Sequence, residues 1–140
     1  MIILAVTLAV ASVTDLRSRV IPNWLVALAG AAGLGLAVNE HRAVEAVLSG
    51  ALAAAPFLLA SMIRPEGMGM GDVKLVAVIG LYLEESVWLA LAVGLGLAGL
   101  AGVLMSLGKR LPPSQTTLPL APFLALGAGM TLVIGGNSLQ

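Results

Sequence analysis

The chain of 140 residues contains no cysteine, which excludes a structural disulfide, a thiolate zinc site and a cysteine nucleophile, and leaves no mark of redox compartment. Charged residues are scarce as well, at 10%, against about a quarter in a typical soluble domain. Seven Lys plus Arg balance seven Asp plus Glu, so there is no basic surplus to hold a phosphate backbone, and nucleic acid is not an expected partner. The single histidine, His41, stands beside Glu40, Arg42 and Glu45. One imidazole and two carboxylates fall short of the usual metal-ligand set, so His41 reads as a solvated loop residue and no metal is expected.

What the chain has in abundance is apolar surface: 59% hydrophobic residues and a mean hydropathy of +1.06. That composition points to an integral membrane protein, with the lipid bilayer as its first partner, in which each polar residue is costly and therefore informative. Apolar runs cover about 1–14, 23–38, 43–63, 67–83, 86–107 and 118–134, each near the length that a spanning helix requires. The runs are continuously apolar rather than alternating, which favours helices over barrel strands. The expected fold is an all-α integral membrane protein, a compact bundle of six transmembrane helices forming one domain over residues 1–140.

Charge placement gives an orientation. Arg17, Arg19, Arg64, Lys74, Lys109 and Arg110 fall in or beside the first, third and fifth loops, while Arg42 alone lies elsewhere. Those loops are expected on the cytoplasmic side, with both termini outside. Ala9-Val10-Ala11 has the look of a signal-peptide cleavage site. No basic residue precedes the apolar run and two arginines follow it, however, which is the flank order of a retained helix. Small residues at helical spacing, Ala29, Gly33 and Ala37 and then Gly94, Ala98 and Gly102, mark faces where helix backbones approach closely.

Two aspartates near membrane depth, Asp15 and Asp72, are the most informative residues. The first segment ends at Asp15 and the fourth begins near Asp72, so the topology brings both to the same side of the membrane. Asp72 follows alternating glycines, Gly67-Met68-Gly69-Met70-Gly71, a stretch that resists regular helix and allows close backbone approach. A close pair of buried carboxyls tends to share one proton, which is the requirement of aspartic proteolysis: one member activates water and the other protonates the carbonyl oxygen. The same two residues also read as helix caps or helix-end carboxylates neutralised by Arg17, Arg19 and Lys74. Spacing does not choose between these readings.

Three segments in order resemble those of the type IV prepilin peptidases, aspartic membrane proteases of the G-x-G-D class. They are Asp15-Leu16-Arg17-Ser18-Arg19-Val20-Ile21-Pro22-Asn23, then Gly69-Met70-Gly71-Asp72-Val73-Lys74-Leu75, then Leu118-Pro119-Leu120-Ala121-Pro122-Phe123. The resemblance implies that Asp15 and Asp72 are the catalytic pair of an endopeptidase that removes the leader of prepilin or pseudopilin precursors at the cytoplasmic face of the inner membrane. It implies no cofactor beyond water. Gly69, Gly71, Lys74, Pro119 and Pro122 are carried over as residues that bind substrate or shape the site. Lys74 reads equally well as a snorkelling anchor, and Pro22 and Pro119 as helix-start residues. Many bacterial members carry an extra N-terminal region with paired cysteines and also methylate the new N-terminus. Without that region or any cysteine, peptidase activity without N-methyltransferase activity is expected. The short form looks most like the tight-adherence (Flp) pilus branch. Two rival classes stay open: a proton or ion pathway built on the same carboxyls, and a scaffold subunit that binds other membrane helices.

Overall fold

The structure, a computed structural model, describes residues 2–18, 20–63, 69–109 and 119–137, without the side chains of 106, 109 and 135–137. Met1, Arg19, Arg64, Gly67, Met68, Arg110 and Leu118, on which part of the span limits and of the charge reading rests, lie outside the described residues. Those described form helices and short turns, with no strand among them. The helices are α1 (Ile2–Ser18), α2 (Asn23–Asn39), α3 (Ala43–Ile63), α4 (Met70–Leu83), α5 (Val87–Lys109) and α6 (Ala121–Asn137). A 3-10 turn, Glu84–Ser86, joins α4 to α5 without a gap. The described residues therefore show five uninterrupted helical stretches, and the fourth and fifth expected spans share one that turns at Glu84, where φ is 49°.

Two stretches, Ala43–Ile63 and Met70–Met105, are long and apolar enough to cross a membrane. In the most apolar 18-residue window of each, 28% of the residues are buried, less than the core helices of a soluble protein bury. The outer surface is correspondingly apolar: Ile2, Trp24, Val44, Ile63 and Leu107 are all well exposed, an exterior suited to lipid rather than water. The remaining helices α1, α2 and α6 have 17 residues each, somewhat short of a perpendicular crossing of about 30 Å at about 1.5 Å per residue. All-helical, apolar architecture thus agrees with the sequence reading, while the number of spans does not follow from helix length.

Glycine sets the packing. A Cβ added at Gly80 would lie 2.7 Å from the Gly50 Cα, and one at Gly50 would lie 2.7 Å from the Ala77 carbonyl oxygen, so α3 and α4 meet backbone to backbone. The same holds for α5 and α6, where Gly94 faces the Phe123 carbonyl and Gly127 faces that of Ala90. Gly33 leaves room for the Tyr82 ring, whose hydroxyl donates to the Ala29 carbonyl at 2.9 Å and fastens α2 to α4. Ala29, Gly33, Ala37, Gly94 and Ala98 are all buried, as the small-residue spacing suggested, and Gly102 is half-buried. Leu4, Leu75, Val76, Ile79, Val87 and Leu124 fill the core.

At one end of the bundle, the Arg42 guanidinium pairs with both Glu40 and Glu84, tying the α2–α3 turn to the α4–α5 turn. Hydrogen bonds to Glu40 and Glu84 push the already high Arg42 pKa further up. His41 is exposed on this turn, at φ 58°. The opposite end, where α1 finishes and α2, α4 and α6 begin, holds both aspartates.

Candidate active site

Helix α1 continues to Ser18, a turn beyond the expected limit at residue 14. Leu4, Leu8, Ala11 and Asp15 recur every three or four residues and form one buried stripe, so Asp15 projects inward with its neighbours. Only 7% of it is exposed. Its Oδ2 accepts a hydrogen bond from the Ala121 backbone N–H at 3.1 Å. The reason lies in the local sequence at the start of α6. The Leu120 carbonyl accepts from Phe123 and Leu124 N–H at 3.1 Å each, and Pro122 has no N–H, so the N–H of Ala121 is a buried donor that α6 itself cannot satisfy. A carboxylate from another helix supplies the cap. Capping and site membership, alternatives in the sequence, fall on the same group.

Asp72 stands in the first turn of α4, after Gly69, whose extended backbone begins the helix. Its N–H donates to the Gly69 carbonyl at 3.0 Å, which fixes the turn. Its side-chain Oδ1 is buried and has no hydrogen-bond partner among the described residues. Gly71 admits the next element. A Cβ there would come within 3.1 Å of Ile21 Cβ, so the segment 20–22 lies directly on the α4 backbone because residue 71 has no side chain. Gly69 is less constrained, its added Cβ meeting Asp72 Oδ2 at 3.7 Å.

Asp15 and Asp72 line one pocket of about 280 Å³ together with Val20, Ile21, Asn23, Gly69, Met70, Gly71 and Lys74. With about 30 Å³ per water molecule, it has space for a reacting water and a short stretch of extended chain. Lys74 is at its rim, and its Nζ donates to Asn23 Oδ1 at 2.9 Å. Among the described residues, no three His, Asp or Glu side chains converge on a metal position. The arrangement offers a carboxyl already oriented by a backbone donor, a second with an unpartnered oxygen, and a polar cavity between them.

Five of the seven residues singled out from the sequence, Asp15, Gly69, Gly71, Asp72 and Lys74, share this pocket. Pro119 and Pro122 do not line it. Pro119 precedes α6, and Pro122 is the second residue of that helix, where its missing N–H is harmless and where it borders an apolar groove between α1 and α6. Sequence reasoning gave no role to Ile21, Asn23 or Ala121. The first two stand inside the quoted Ile-Pro-Asn segment, a usable signal, whereas the contribution of Ala121 is a backbone N–H that no residue type announces.

Residues 2–107 match the family model described as the type IV leader peptidase family. The prepilin leader peptidase/N-methyltransferase of Aeromonas hydrophila is 38% identical over 77 residues, covering 53% of this chain and 25% of that protein. The protein of the same name from Aeromonas salmonicida strain A449 is 36% identical over 77 residues, with the same coverage. The chain thus spans about a quarter of the length of the curated relatives that it matches. No solved structure matches it.

Proposed function

The chain belongs to the type IV leader peptidase family, and from that premise we propose that it is an aspartic endopeptidase that removes the leader peptide of prepilin-like or pseudopilin precursors. The observation that carries the reading is the convergence of two carboxyls, brought in by separate helices, on one pocket. The ionised member takes a proton from water as the water oxygen attacks the scissile carbonyl carbon. The protonated member donates to the carbonyl oxygen. Collapse of the tetrahedral intermediate then breaks the C–N bond, with the proton taken from water passing to the leaving amine. Positioned proton transfer of this kind contributes about 10²–10⁴-fold to rate.

Placement in the cell follows the same proposal. The protein lies in the inner membrane as six spans, α4 and α5 separating at Glu84, with both termini outside and the Asp15–Asp72 end at the cytoplasmic face. The charge distribution supports this, because Arg17 and Lys74 flank the carboxyl end. Leader removal without N-methylation is the proposed activity of these 140 residues, which include no cysteine for the paired-cysteine region of the methylating members. A proton pathway has less support, since both aspartates gather at one end of the bundle rather than at its middle.

The test is to reconstitute the protein in vesicles with a prepilin precursor, recover the product and sequence its new N-terminus. A single cut just before the hydrophobic segment, with a free rather than methylated amine, is the expected product. Intact precursor together with proton flux across the vesicles would favour the transport class.

A further inference from the structure

The two helices that carry the aspartates barely touch. α1 packs mainly on α6 and α2, and α4 on α3 and α2, with little direct packing between α1 and α4. The spacing of the carboxyls therefore depends on what bridges the helices at this end. One bridge is the Ala121 N–H on Asp15. The other is segment 20–22 with the first residue of α2, which lies on the start of α4 and is held there at two points: Ile21 on Gly71 and Asn23 on Lys74.

We infer that Asn23 is a positioning residue for the peptidase reaction: through Lys74 it pins the first turn of α4, and Asp72 with it, against the wall that continues from the helix of Asp15. Three features support this. Asn23 is the first residue of α2 and follows Pro22, whose carbonyl accepts from Leu25 N–H at 3.1 Å, so its backbone is held by the helix start. Its Oδ1 takes an ammonium hydrogen at 2.9 Å, a charge-assisted bond of good length between elements 51 residues apart. The Oδ1 of Asp72 has no hydrogen-bond partner among the described residues, so on that side the carboxyl takes its position from the turn that bears it. Lys74 is two residues from Asp72, a spacing that sends the two stems to different sides of α4. Its grip on Asn23, at the rim of the same pocket, thus steadies the turn without occupying the reacting oxygens.

The inference rests on the leader-peptidase reading, and its test separates the two. Asn23→Leu removes the acceptor at similar size, and Asn23→Asp keeps an acceptor for the ammonium. With a prepilin substrate, Asn23→Leu is expected to lower kcat about tenfold, the KM changing by less than about threefold, and Asn23→Asp to retain most of the rate. In a Lys74→Met background, Asn23→Leu should cost nothing further, because both changes break the same link. The absence of native cysteine allows spin labels at Leu16→Cys on α1 and Met70→Cys on α4. The distance distribution between them should broaden with Asn23→Leu and stay as in the parent with Asn23→Asp. Additive losses in the cycle, or an unchanged label distance in Asn23→Leu, would overturn the inference. If the parent protein cut no precursor, the leader-peptidase reading would fail, and the label distances would still decide whether Asn23 sets the helix spacing.

Discussion

Asp15 and Asp72 are expected to differ sharply in what they contribute to stability, although each is proposed as half of one catalytic pair. Asp15 caps the buried Ala121 N–H at 3.1 Å, whereas the buried Oδ1 of Asp72 has no hydrogen-bond partner among the described residues. Asp15→Ala strands a buried donor and should cost about 1–3 kcal/mol. Asp15→Asn can still accept through its amide oxygen and loses only the charge assistance, so its cost should be about 0.5–1.5 kcal/mol. At position 72, Asn should be close to neutral, since it keeps the size and one acceptor oxygen of the carboxyl and breaks no bond at Oδ1. Ala there should lose no more than the roughly 0.3–1 kcal/mol of a carboxylate at a helix start. Unfolding in detergent, followed by the fluorescence of Trp24 and Trp88, would rank the four variants. The expected order of loss is Asp15→Ala first, then Asp15→Asn, with both position-72 variants near the parent. Equal stability of Asp15→Ala and Asp72→Ala would mean that the Ala121 contact carries nothing, and the argument for how α1 meets α6 would fail.

Other substitutions probe the surroundings of the site. Gly71→Ala puts a carbon 3.1 Å from Ile21 Cβ and should reduce leader cleavage severalfold, whereas Gly69→Ala meets only an ordinary contact at 3.7 Å and should be better tolerated; initial rates on one precursor compare them. Gly127→Ala would collide with the Ala90 carbonyl and should destabilise the α5–α6 pair by about 1–3 kcal/mol. Gly96→Ala has open space around it and should be neutral or stabilising by up to about 1 kcal/mol, both read from the same unfolding curves. Arg42→Ala breaks half-exposed ion pairs at the far end of the bundle, so a loss of about 0–1 kcal/mol that shrinks in high salt is expected, with cleavage unchanged.

Hydropathy made the helices legible, because in lipid a continuous apolar run has no other way to satisfy its backbone. The small-residue stripes were legible for a similar reason: Gly33 and Gly94 mark spacing that only helix-on-helix contact uses. Hydropathy could not show the end of α1. A charged Asp15 reads as a helix end, yet the helix runs on to Ser18 because the carboxyl is satisfied from across the bundle by Ala121. Nor could it count separate spans where α4 and α5 run together through Glu84–Ser86. Within the site, Asp15 and Asp72 were visible as costly residues, and Gly69, Gly71 and Lys74 as parts of a recognisable segment. Asn23 stood in the first quoted segment, but its contact was not legible, since it is made with a lysine 51 positions away. Pro119 and Pro122 drew attention through the quoted third segment, but their effect is on how α6 starts, and what reaches the carboxyl is the N–H between them.

The most direct measurement is cleavage of a purified prepilin precursor in vesicles by the parent protein and by its Asp15→Asn and Asp72→Asn variants, each first shown to insert and fold like the parent. Complete loss of leader removal in both variants, against efficient cutting by the parent, is the result that two cooperating carboxyls predict. Appreciable cleavage by either variant would contradict it.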